Sequence, residues 1–197
     1  MRRGPRRAAR GTAQETELRR LVRAKPGLTV LTGGQTGVDT YAAVAALAAG
    51  LPVHLVFPRG LRQEDGRLTV DRRRQFAGAA VHELGAARFR YRTWTCAYLA
   101  DVVLLIDPAG GSGCRESARA ARMLGRPLLE PAEFDRPVAA EIEAWLARAD
   151  ARVLMVAGCR GSLLARQPEA NRTVQASLVN AMTGARAWHD RLFSGPA

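Results

Sequence analysis

The chain has 197 residues, 47% of them hydrophobic, and carries 30 Lys and Arg against 18 Asp and Glu for a formal net charge of +12. That length suits one α/β domain burying about 70% of its unfolded surface and is too short to argue for two; no run reaches the ~18 apolar residues of a membrane span, and no signal-peptide stretch follows the start. Cys96, Cys114 and Cys159 are odd in number, far apart and without CxxC or histidine spacing, which argues against a disulfide framework and a zinc site, so a soluble cytoplasmic protein without a metal is expected.

Residues 1–25 hold nine of the basic residues and only two acids, Glu15 and Glu17. They are expected to form a basic, flexible arm, with a short helix over 15–24 before Pro26 and Gly27 break it. Lys25 is the only lysine, so arginine usage reflects base composition more than selection for guanidinium chemistry.

A strand is predicted over 28–32, a tight loop at Gly33-Gly34-Gln35-Thr36-Gly37, and a helix over 37–49. Gly33 and Gly34 allow a sharp turn and close approach of a ligand. The unpaired amides opening the helix suit a phosphate, which the helix dipole favours by about 0.3–1 kcal/mol. Thr36 and Asp39 also read as a capping pair that serves the helix alone. The loop is neither a P-loop nor a Gly-x-Gly-x-x-Gly fingerprint.

After a strand over 52–57, in which His54 reads as a packed residue, comes a polar connection over 58–66. Here Arg59 and Gly60 are placed to meet an anion, and Glu64 and Asp65 to contact ligand hydroxyls, amino groups or a metal. The alternative is a solvated loop with internal ion pairs. A helix over 72–80, a strand over 87–91 and a helix over 93–99 follow. In that register Arg92 ends a strand and offers planar recognition of phosphate, while Thr93 caps the next helix.

The design then recurs: an apolar strand over 101–106, the loop Gly110-Gly111-Ser112-Gly113, and a helix over 114–124. Each helix stops at a glycine just before a proline, at Gly50 and Gly125. Strands over 127–130 and 152–157 and helices over 137–149 and 169–182 complete the alternation, with Arg160 just beyond the last strand and residues 186–197 as a tail. The pattern predicts an α/β three-layer sandwich over 26–185, with a mostly parallel sheet of about six strands. The two glycine units lie side by side, with both loops at the carboxyl rim.

Residues 31–39, 58–66, Arg92-Thr93, Gly110-Gly111 and 156–160 resemble, in order, the blocks of the molybdenum cofactor carrier family. That family belongs to the Rossmann-like SLOG group, which includes the Lonely Guy phosphoribohydrolases and the DNA-processing protein of natural transformation. The resemblance spans roughly 28–182 and implies a non-catalytic carrier of the molybdenum cofactor, a phosphate-bearing molybdopterin, with a nucleotide as the alternative ligand. The two glycine loops would cradle phosphate, Arg59, Arg92 and Arg160 would neutralise it, and Glu64 or Asp65 would read polar groups. The chain departs from the pattern at Arg59, where lysine is usual, at Thr40, where arginine is usual, and at Cys159-Arg160-Gly161, which replaces Pro-Arg-Glu.

The second loop also looks like the Gly-Gly-x-Gly-Thr-x-x-Glu loop of the phosphoribohydrolases. Ser117 stands where their catalytic glutamate would be, and Glu116 is one residue early, about 100° around the helix, so it is expected as a first-turn acid and ligand contact rather than as a catalytic group. A DNA-binding reading rests on the net charge and the arm. The modestly basic remainder and the lack of basic residues interleaved with Trp94, Trp145 and Trp188 leave only weak, salt-sensitive nucleic-acid contact. The helix over 137–149, with Ile142 and Trp145 on one side, suggests a homo-oligomer.

Overall fold

The structure, a computed structural model, describes residues 12–131 and 139–194. In chain order its elements are α1 (Ala13–Val22), β1 (Thr29–Thr32), α2 (Val38–Ala48), β2 (Val53–Phe57), β3 (Arg62–Gln63), β4 (Gly66–Arg67), α3 (Val70–Arg74), β5 (Ala80–Glu83), α4 (Phe89–Leu99), β6 (Val102–Ile106), α5 (Ser112–Met123), β7 (Leu128–Leu129), α6 (Ala139–Arg148), β8 (Val153–Gly158), α7 (Gly161–Leu164) and α8 (Pro168–Ser194). Every residue of β1, β2 and β6 is buried, as expected of strands covered on both faces.

Six strands form one sheet in the order β5-β2-β1-β8-β6-β7, and every pairing in it is parallel. Helices α2, α6 and α8 pack together as one outer layer, and α1, α4 and α5 as the other. This is a Rossmann-like α/β sandwich. The two glycine units are not neighbours, because β8 inserts between β1 and β6, with Thr32 and Leu104 both opposite Val156. Since all strands run the same way, the loops after β1, β6 and β8 nevertheless share one rim.

Three stretches differ from expectation. No strand covers 87–91: Arg88-Phe89-Arg90-Tyr91-Arg92 alternates like a strand but opens α4, whose buried Arg92, Thr93, Thr95, Cys96 and Leu99 follow a helical spacing. Arg92 and Thr93 therefore lie inside a helix whose N-cap is Arg88. The edge strand is β5, mostly half-buried and without a strong apolar signature, and the helix expected over 72–80 is only the short α3.

The two chain ends also carry more structure than expected. Within the region read as an arm, Leu18 and Val22 of α1 are buried in the core, and Gln14 bonds Glu83 O and Gly85 N at 2.9 and 3.1 Å. Residues 1–11, with most of the basic run, lie outside the described residues. The region read as a tail continues α8, and buried His189 accepts the Leu28 N–H at 3.1 Å. Ile142 and Trp145 are buried in the core rather than displayed on the surface. Among the described residues no helix is long and apolar enough to cross a membrane.

At the β2–β5 edge, His54 Nδ1 and His82 Nε2 lie 2.9 Å apart, with the rings stacked at 5.0 Å. Burial, with the neighbouring His82 and Lys25, pushes His54 down to about 4. A neutral native imidazole stabilises the fold fully above the unfolded value near 6.5, and that contribution is lost as pH falls toward 4. Urea denaturation at pH 7 and pH 4.5 is expected to show a loss of about 1–2 kcal/mol that His54→Gln removes.

Candidate functional site at the carboxyl rim

The loop after β1 is braced from within. Arg92 lies so close over Gly33 that a Cβ there would meet Nη1 at 1.2 Å. The same nitrogen lies 3.3 Å from Asp39 Oδ2, which also accepts the Gln35 N–H at 3.2 Å. Burial pushes the Asp39 carboxyl up, against the pull of Arg92 and the Gln35 N–H. The capping pair is absent: Gly37 is the N-cap of α2, without a side-chain hydrogen bond. The Val38 N–H is held by Cys159 O at 3.0 Å.

The β3–β4 hairpin closes over this loop. Gln63 Nε2 donates to Gly34 O at 2.7 Å and Gln35 Nε2 to Arg62 O at 3.1 Å. Glu64 accepts a short bond from Thr36 Oγ1, together with the Ser162 N–H at 3.1 Å and Oγ at 2.7 Å. Burial pushes the Glu64 carboxyl up, but these bonds outweigh it and hold it below its usual range. Asp65 pairs with Arg72 at 2.7 Å, Gly60 N donates to Glu83 Oε1 at 2.6 Å, and Arg59 is exposed.

The loop after β6 is built differently. Gly111 caps α5, and its N–H donates to Asp107 Oδ1 at 3.1 Å, which also accepts from Cys159 Sγ at 2.8 Å. Burial raises the Asp107 carboxyl, but bonds from Cys159, Gly111, Cys114 and Gly110 prevail and lower it. Next to Gly110 no atom lies within 4 Å of where a Cβ would stand, and at Gly113 the nearest is Arg160 Nε at 3.9 Å. Ser112, Gly113 and Cys114, the first turn of α5, line open space. Glu116 is held by Trp94 Nε1 and, at 2.9 Å, by Arg90 Nε; these two partners lower its carboxyl.

Between the α5 start, α4 and the end of β8 lies a cavity of about 500 Å³. Of the residues singled out in the sequence it brings together Gln35, Asp39, Arg92, Thr93, Gly110, Gly111, Ser112, Gly113, Glu116 and Arg160. Gly33, Gly34, Thr36 and Gly37 stand behind it in the braced loop. Arg59, Gly60, Glu64 and Asp65 are not among its lining residues. Arg92 is 7% exposed, lines the cavity and has a buried Nε without a hydrogen-bond partner.

Sequence reasoning missed Phe89 and Arg90, hidden by the strand reading, and the pair Cys114 and Cys159 on the cavity wall. The two cysteines interact: Cys114 is pushed up, first by its contact with Cys159 and then by burial, while the same contact lowers Cys159 against the opposing effect of burial. The available signal was position, since each follows a strand–glycine turn at the rim.

Among solved structures, the chain is similar to the "Putative molybdenum carrier protein" of Syntrophus aciditrophicus SB, at 22% identity and a TM-score of 0.63, over 80% of this chain and 96% of that one. A second, "AtPrR2 in apo form", has 14% identity and a TM-score of 0.37 over 63% of this chain and 45% of that one, too little for an argument. No curated protein matches. The circularly permutated YpsA SLOG family matches residues 30–182, the span from β1 into α8 that carries every wall of the cavity, and the chain belongs to that family.

Proposed function

We propose that the protein binds a phosphate-bearing small ligand in the rim cavity without transforming it. The observation that carries this reading is the cavity itself, which brings the first turn of α5 together with the Arg92 and Arg160 side chains, a positively polarised wall that suits an anion. The phosphate belongs at the first turn of α5, over Ser112 and Gly113, with Arg160 beside it. About 500 Å³ is the size of a cofactor or nucleotide site. The molybdenum cofactor is the first candidate, given the name of the similar structure, and a nucleotide the second. Glu116, already engaged by Trp94 and Arg90, is poorly placed as a free catalytic acid.

Mass spectrometry of ligand retained by gently purified protein tests this, followed by calorimetric titration with inorganic phosphate, AMP and molybdopterin. Arg160→Ala is expected to weaken binding about 10–100-fold, the loss of a hydrogen bond between charged groups. Gly113→Ala, with room for its methyl, is expected to leave the melting temperature unchanged or raise it while reducing affinity at least tenfold, about 1.4 kcal/mol. If neither variant changes binding, the ligand lies elsewhere. Release of free base from nucleoside monophosphates would replace the carrier reading with an enzymatic one.

A further inference from the structure

Asp107 ends the β6 turn, Cys114 sits in the first turn of α5, and Cys159 follows β8. One ligand atom from each, a carboxylate oxygen and two sulfurs, lies within 4.8 Å of the others. Around zinc, with Zn–S near 2.3 Å and Zn–O near 2.1 Å, tetrahedral donors stand about 3.5–3.8 Å apart, so the Asp107–Cys159 pair, in hydrogen-bond contact at 2.8 Å, opens by under about 1 Å as the ion replaces the thiol proton between them. The geometry points to a binding site for a thiophilic divalent cation of the zinc class, held by Asp107, Cys114 and Cys159, with its fourth position open to the rim cavity.

Three features support it. Cys114 and Cys159 both line the cavity, so an ion between them is reachable by solvent or a ligand, the arrangement of three protein donors plus one exchangeable site. The donors are pre-oriented: Gly111 N–H fixes the Asp107 carboxylate at 3.1 Å, and Cys159 N donates to Ile106 O at 3.1 Å. Asp107 and Cys159 directly follow adjacent, hydrogen-bonded strands, so their separation is set by the sheet rather than by a mobile loop. Sequence spacing argued against a metal because the residues meet only through the insertion of β8 beside β6. Binding replaces the two thiol protons, released to solvent, by two metal–sulfur bonds, with no change of oxidation state. The site adjoins the proposed phosphate position, since Ser112, Gly113 and Cys114 share the first turn of α5 and line one cavity, but its ligands are different side chains, and metal binding is read without added phosphate ligand.

The test is titration of the reduced, chelator-stripped full chain with Co²⁺. One equivalent is expected to give thiolate-to-cobalt charge-transfer absorption in the near ultraviolet with tetrahedral visible bands, bleached by Zn²⁺. Cys159→Ser and Cys114→Ser are expected to abolish the charge-transfer band or weaken affinity by more than the ~10–100-fold that loss of an orienting partner costs. Asp107→Asn, which keeps an acceptor for Gly111, is expected to weaken it at least tenfold, and Cys96→Ser to leave it unchanged. Absence of the band in folded wild-type protein overturns the proposal whatever the variants do. So does its survival at undiminished cobalt affinity in both cysteine variants, or quantitative conversion of the pair to a disulfide with no cobalt bound under reducing conditions.

Discussion

Arg92→Met is expected to destabilise the fold by about 3–5 kcal/mol, seen as a lower urea midpoint at unchanged slope. Methionine keeps the stem but leaves the Asp39 carboxylate buried, with its partner at 3.3 Å removed and the Gln35 N–H as its remaining tie to the loop. The uncompensated charge, rather than lost packing, should dominate. Adding Asp39→Asn is therefore expected to recover more than half of the deficit, because a neutral amide can still accept from Gln35. The deficit of the single variant should also narrow as pH falls toward 4. Burial already raises the Asp39 carboxyl, and without Arg92 it rises further, so acid neutralises the group that the fold cannot tolerate. If single and double variants fall equally, the packing of the stem over Gly33 is responsible instead.

Gly37→Ala is expected to cost about 3 kcal/mol or more, lowering the melting point by about 6–12 °C for a domain of this size. Gly37 has φ +80°, and a Cβ there would stand 2.4 Å from Cys159 O and 2.6 Å from Gly161 N. Both obstacles are backbone, and moving either disturbs the junction where the Val38 N–H meets Cys159 O at 3.0 Å. With ψ at −132° the backbone lies in a positive-φ region nearly confined to glycine, which contributes about 1–3 kcal/mol, and overpacking adds the rest. The contrast with Gly113 is the point of the measurement: one glycine is required by the chain's own packing, while the other borders open space.

That contrast marks how far the sequence could be read. The two glycine loops look alike as strings, and reading both as phosphate cradles follows from composition. Only coordinates reveal that the Gln35 and Val38 amides of the first loop are already spent on Asp39 and Cys159. Strands β1, β2, β6 and β8 were legible because full burial writes continuous apolar runs. Edge strand β5 was not, since half-buried positions have no strong pattern, and α4 was masked by alternating arginine and aromatic residues. Arg92 reads from the sequence as a strand-end anion anchor and is a buried wall residue inside α4. The Asp107–Cys114–Cys159 cluster left no spacing signature, because its members are joined by sheet order rather than by proximity in the chain.

The place of β8 has a consequence for how the molecule comes into being. The strand that completes the middle of the sheet arrives late, after about three-quarters of the chain, and must slot between two strands already synthesised. Until it emerges from the ribosome, β1 and β6 each present a bare apolar edge with open hydrogen-bonding groups, the template on which strangers pair. Nascent chains stalled short of residue 153 are thus expected to pellet as aggregates unless a chaperone is supplied, while the full chain stays in solution, because the sheet closes only through long-range pairing.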